Sequence, residues 1–222
     1  MADTLENSFS QTATSTSAIA CTGTIASAEV FTILTVSICN SQTVDTTFDL
    51  WIDPASGSDT YIYQDQSLPA QSTFMHNAKM VMITGDVLRI SSSVALTSPG
   101  IQVAVSFLKQ TAVSTSADNL SRTLVAQTGT SQSVLMTTDA ADTKTVLSFT
   151  ICNQNTTTAT NFDIQLRNSS NAEYLLYKNQ SLPAKSTFEH NDKIILQDDE
   201  TIYFDQTGSL DVGIVCSYLV QP

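Results

Sequence analysis

The chain has 222 residues, 41% of them hydrophobic, enough for one large or two ordinary packed domains and too apolar for a disordered chain. Its net charge of −12 opposes phosphate backbones and anionic membrane surfaces, so neither nucleic acid nor membrane is an expected partner. Only 14% of residues are charged; Ser, Thr, Asn and Gln supply much of the remaining polarity, and threonine's branched Cβ suits half-exposed strands. No segment approaches the run of about 20 apolar residues that spans a bilayer. The start, Met1-Ala2-Asp3-Thr4-Leu5-Glu6, lacks the basic opening and apolar run of a secretory leader. Synthesis in a cytoplasm, or release by lysis, is the expectation.

In chain order, residues 1–19 contain the Ser/Thr-rich run Asn7–Ser17 and read as a flexible N-terminal arm. The arm is too polar to form a core and is expected to be dispensable for folding, with Leu5 and Phe9 free to anchor in a neighbour. A first β-domain is expected over 20–110. Val30 to Cys39 is a long β-branched run suited to a buried strand. Phe48 to Asp53 alternates in part with period two, Ala55 to Asp59 is a turn, and Tyr61 to Tyr63 is a further strand. Ser67-Leu-Pro-Ala70 breaks it, and Ser72 to His76 resumes. Lys79 to Ile83 and Val87 to Ser91 flank Thr84-Gly85-Asp86, which reads as a hairpin turn. Ile101 to Leu108 closes the domain at about seven strands. Residues 111–122 read as a linker, and 123–222 as a second β-domain whose last strand runs from Val212 to Val220.

The two domains are copies. Thr32-Ile-Leu-Thr-Val-Ser-Ile-Cys-Asn40 matches Thr145-Val-Leu-Ser-Phe-Thr-Ile-Cys-Asn153, and Phe48-Asp49-Leu50 matches Phe162-Asp163-Ile164. Residues 66–79 match 180–193 at every position except 71/185, 75/189 and 78/192, and Val105-Ser-Phe-Leu108 matches Cys216-Ser-Tyr-Leu219. A period above 100 residues makes each copy a complete domain rather than a solenoid unit. The expected fold is all-β: two tandem immunoglobulin-like or jelly-roll-like sandwiches related by duplication.

No catalytic, cofactor-binding or metal-ligating residue is assigned, and no cofactor is expected. The two histidines, His76 and His190, are equivalent, have no nucleophile or acid partner in sequence, and read as shaping a corner through side-chain to backbone bonds. Asp198-Asp199-Glu200 lacks calcium-loop spacing and corresponds to the plain turn at 84–86. Trp51, Tyr61 and Tyr63 are a candidate sugar platform, but the second copy has Gln165, Leu175 and Tyr177 there. Cys21, Cys39, Cys152 and Cys216 form no CxxC pair and read as reduced, packed hydrophobes.

The repeated block, an apolar strand ending in Ile-Cys-Asn, then Tyr-x-x-Gln-Ser-Leu-Pro-Ala-x-Ser-Thr-Phe-x-His and a closing Val/Cys-Ser-Phe/Tyr-Leu, resembles small β-sandwich virion proteins of tailed bacteriophages, especially cyanophages and other marine phages. The likeness spans 20–110 and 123–222. It implies a non-enzymatic accessory protein of the neck or collar, tail or capsid surface. The implied partners are copies of itself and other virion proteins, with assembly in the host cytoplasm. The alternative reading is a module that binds host-surface glycans.

Overall fold

The computed structural model describes residues 2–11, 16–97, 100–111, 118–139 and 142–221. The chain divides into two compact units, Met1–Val113 and Ser114–Pro222.

In the first unit, β1 (Ala2–Gln11), β2 (Ile19–Ala20), β3 (Glu29–Asn40), β4 (Thr46–Asp53), β5 (Thr60–Leu68), β6 (Ser72–His76), β7 (Met80–Ile83), β8 (Val87–Ser92) and β9 (Ile101–Thr111) form two sheets. One has the order β1-β9-β3-β6, with β7 also pairing with β3; the other has the order β2-β8-β4-β5. Except for β4 to β5 and β6 to β7, every step along the chain crosses from one sheet to the other. That winding is the jelly roll, and it rules out the immunoglobulin alternative.

The second unit repeats it with β10 (Asn119–Gln127), β11 (Ser133–Thr137), β12 (Thr143–Asn153), β13 (Thr160–Arg167), β14 (Glu173–Leu182), β15 (Thr187–His190), β16 (Ile194–Gln197), β17 (Thr201–Gln206) and β18 (Val212–Gln221). Its sheets are β10-β18-β12-β15, with β16 on β12, and β11-β17-β13-β14.

Alternation along the strands builds each core. On β9, Ile101, Val103, Val105 and Phe107 point inward and are buried, while Gln102 and Ser106 between them are exposed. Phe48, Leu50 and Ile38 fill the first core as Phe162, Ile164 and Ile151 fill the second, all fully buried. The irregularities are duplicated too. The β3–β9 register slips between Ile33 and Thr35, and β12–β18 between Val146 and Ser148. Paired slips also mark β4–β5 and β13–β14. Such bulges are built-in features of the strand, not accidents.

Three expectations are corrected. Residues 2–11 are not an arm: they form β1, in unbroken register with β9 from Ala2↔Thr111 to Gln11↔Gln102. The expected linker and second-domain start shift likewise, because Thr111 ends β9 and Asn119–Gln127 is β10, paired with β18; residues 112–117 lie outside the described residues. Polar composition misled here because these edge strands turn Thr4, Glu6, Ser8 and Ser10, and Ser121 and Thr123, toward the sandwich interior and set their leucines and Phe9 on the outer face. Finally, the 84–86 turn does not close a hairpin. β7 pairs with β3 and β8 with β2 and β4, so the turn passes the chain between sheets. Asp86 caps it by accepting the Ile83 N–H at 2.9 Å. Gly85 sits at φ 87°, and a Cβ there would collide with the Ala55 methyl.

Candidate functional site

The polar residues of the repeated block are used to hold the sandwich. At the end of β3, buried Asn40 donates from Nδ2 to the carbonyls of Val44 (2.9 Å), Leu68 (3.2 Å) and Pro69 (3.1 Å), and its Oδ1 accepts the Gln42 N–H (3.0 Å). Asn153 does the same with Thr158 (2.9 Å), Leu182 (3.1 Å), Pro183 (3.1 Å) and the Asn155 N–H (3.0 Å). Ile-Cys-Asn and Ser-Leu-Pro-Ala therefore recur together: the loop carbonyls need donors, and one asparagine supplies them.

Asp49 and Asp163 accept the N–H groups of Asp65 (2.7 Å) and Asn179 (2.6 Å), which sit at φ 50° and 52° on the bulged edge strands. Ser72 and Ser186 donate to the Pro69 and Pro183 carbonyls at 2.6 and 2.8 Å, closing turns through Gln71 and Lys185 at φ 55° and 57°.

The histidines do something sequence spacing did not suggest. Each ring meets a tyrosine on the opposite sheet: Tyr63 Oη lies 2.9 Å from His76 Nδ1, and Tyr177 Oη 2.8 Å from His190 Nδ1. The pair ties β5 to β6, and β14 to β15, amid equivalent aromatics. Phe74 packs on Phe48 and Tyr63 at 5.3 and 4.9 Å; Phe188 packs on Phe162 and Tyr177 at 5.2 and 5.0 Å. Where the first unit has Val36, the second has Phe149, stacked on His190 at 4.5 Å. Burial holds the His190 imidazole below its ordinary pKa against the opposing pull of Asp192, and raises the Tyr177 hydroxyl. The inter-sheet bond stands beside the backbone contact expected at this corner, since His190 also hydrogen-bonds the Asp192 backbone. The signal was present: Tyr63 and Tyr177 precede their histidines by the same 13 residues.

The remaining candidates are structural in their settings. Glu200 accepts the Gln197 N–H at 2.9 Å, the counterpart of the Asp86 cap. Among the described residues, no three His, Cys, Asp or Glu side chains are placed to hold a metal ion. Trp51 and Tyr61 stack at 5.6 Å on the outer face, but Tyr63 points into the core, and Trp51 is only 6% exposed. The three aromatics do not form one open platform. All four cysteines are unbridged. Burial pushes the thiols of Cys21 and Cys216 up to about 12, which removes thiolate chemistry near neutrality. Cys152 is buried as expected; Cys39 is half-buried on the outer sheet face.

Exposed apolar side chains remain. Leu5 and Phe9, 77% and 74% exposed, stand on the outer face of β1 beside Leu108 and Ala104 of β9. A depression of about 460 Å³ lies between Phe9, Ser37, Cys39 and Ala104. In the second unit, Tyr174 and Ile195 are exposed beside a depression of about 370 Å³ that Arg167 and Glu200 also line. The Tyr–His pairs line neither depression.

No family model and no curated protein matches the chain. Among solved structures, the major capsid protein P2 from Bacteriophage PM2 matches with a TM-score of 0.38 and 9% identity over 99% of this chain and 97% of that one. The STIV MCP matches at 0.34 and 10% over 100% and 98%. The N-terminal CBM22-1-CBM22-2 tandem domain of Paenibacillus barcinonensis Xyn10C matches at 0.31 and 8% over 99% and 91%. At these scores no conclusion about this chain's function follows from them.

Proposed function

We propose that the chain is a structural component of a virion, at the neck or collar, the tail or the capsid surface. It works by assembling with copies of itself and with other virion proteins in the host cytoplasm. The observation that carries this is the tandem jelly roll itself. Its repeated polar side chains secure loops and join sheets, and its most exposed large apolar side chains lie along a sheet edge. Jelly rolls serve capsids and lectins alike; the likeness of the repeated block to phage virion proteins favours the first. Glycan binding is less well supported, because Trp51 is nearly covered and its counterpart is Gln165.

The test is quantitative mass spectrometry of purified particles. A structural component appears at a fixed copy number relative to the major capsid protein and survives a density gradient. Loss of the chain on gradient purification, with retained affinity of the free chain for a host glycan, would reverse the choice.

A further inference from the structure

We infer that β1 is a self-pairing edge: two copies of this chain join by antiparallel β1–β1 pairing, continuing the β1-β9-β3-β6 sheet across a two-fold axis at Asn7. This deepens the assembly role proposed above and rests on it for its purpose, not for its geometry.

The edge is long and regular, and its only charges are Asp3 and Glu6. β1 runs for 10 residues, pairs with β9 without a register break, and among the described residues has no strand on its other side. Edge strands of this kind are templates for another strand unless something blocks them. Other edges here carry such blocks. β5 and β14 are bulged and hold Asp65 and Asn179 at positive φ. β6, β7, β15 and β16 have only four or five residues each, and β2 has two. β1 contains no Pro, Gly, Lys or Arg.

The sequence of β1 selects its own copy as the partner. An antiparallel pair related by a two-fold perpendicular to the sheet places opposite residues on the same face, so the axis must fall on a residue. With Asn7 on the axis, Leu5 faces the partner's Phe9, and Phe9 the partner's Leu5. Asp3 then faces Gln11, Glu6 faces Ser8, and Thr4 faces Ser10. Because β9 sets Leu108 beside Leu5 and Ala104 beside Phe9, the apolar row runs unbroken from one β9 to the other. Moving the axis to Glu6 sets two carboxylates against each other and Phe9 against Asp3. Moving it to Ser8 sets Leu5 against Gln11 and Phe9 against Asn7. Of these three registers, the one centred on Asn7 satisfies charge and apolar matching together.

The second unit supplies the contrast. β10 is also regular, with Leu120 beside Leu219 and Leu124 beside Val215, so Leu120 and Leu124 correspond to Leu5 and Phe9. The residue between them, in the place of Asn7, is Arg122. The same two-fold there would bring two guanidinium groups together. The duplicated edge is therefore blocked in one copy and open in the other.

Analytical ultracentrifugation of the full chain over a concentration series should show a species of twice the 23.9 kDa chain mass. Asn7→Arg, which copies the second unit's residue, should abolish that species while leaving the melting curve of the monomer unchanged. In a Cys39→Ser background, Asn7→Cys should give a disulfide-linked dimer under mild oxidation in high yield. Glu6→Cys and Ser8→Cys, off the axis, should give at least tenfold less. A monomeric wild-type chain, a dimer that survives Asn7→Arg, or equal crosslinking at 6, 7 and 8 would overturn the pairing. If Asn7→Arg fails to fold, the crosslinking pattern decides alone. A chain found at fixed copy number in particles yet uncrosslinked at position 7 would refute the edge pairing while leaving the virion role intact.

Discussion

Asn40→Ala is the sharpest probe of how the fold is held. It removes the two amide hydrogens that the carbonyls of Val44, Leu68 and Pro69 share and the acceptor for the Gln42 N–H, all from one buried side chain. Each such bond contributes about 0.5–1.5 kcal/mol net, and a buried carbonyl left unpaired costs about 1–3 kcal/mol. Water reaches part of the loop, so the expected loss is about 2–4 kcal/mol. For a domain of this size that lowers Tm by about 4–8 °C per kcal/mol, or roughly 8–32 °C in all. Trp51 is the chain's single tryptophan, lies in the same unit and is nearly buried, so its fluorescence reports this unfolding directly in a denaturant titration. Asn40→Asp should cost at least as much, because it keeps an acceptor and sets it against three carbonyls. A loss below about 1 kcal/mol for Asn40→Ala would refute the claim that this residue secures the loop.

Phe188→Ala should cost about 3 kcal/mol, the low end for a phenylalanine truncation because the ring is half-buried between Phe162 and Tyr177; a urea melt checks it. Gly85→Ala should cost about 1–3 kcal/mol, since φ 87° and the Ala55 methyl both oppose a Cβ, and thermal unfolding reads it out. The folded-state pKa of His190 lies below its ordinary 6.5, so the unfolded chain binds its proton first as pH falls. The histidine's contribution is therefore complete above about pH 6.5 and is lost as pH drops through the folded value; His190→Gln should flatten that part of a stability–pH curve. Alkylation of the native chain near pH 8 should label Cys39 well ahead of Cys21 and Cys216, whose thiols burial raises to about 12, as peptide mapping would show.

The duplication, and with it the two-sandwich architecture, was legible because apolar strands and the Ser-Leu-Pro-Ala loop recur almost unchanged. Asn40 and Asn153 looked like ordinary strand ends; their importance depends on loop carbonyls 28 and 29 residues away, a distance no local pattern reports. The Tyr–His bond left only a repeated spacing of 13 residues in the sequence, because it links strands of different sheets. β1 and β10 were read as arm and linker because Ser and Thr occupy their inward-facing positions, so the alternation that marks a core strand is missing. The repeat nevertheless extends into them as Leu5 and Phe9 against Leu120 and Leu124, with the same spacing of four. The choice between immunoglobulin and jelly-roll winding rests on which strands pair, and strand composition is the same for both.

The most direct test of the virion role is a single-particle reconstruction of the purified particles. A virion component gives ordered density for two tandem jelly rolls per copy at a repeating position on the neck, tail or capsid surface, with β1 edges of adjacent copies in contact. Particles that lack such density, from a host in which the chain is abundant but stays in the soluble fraction, would contradict that role.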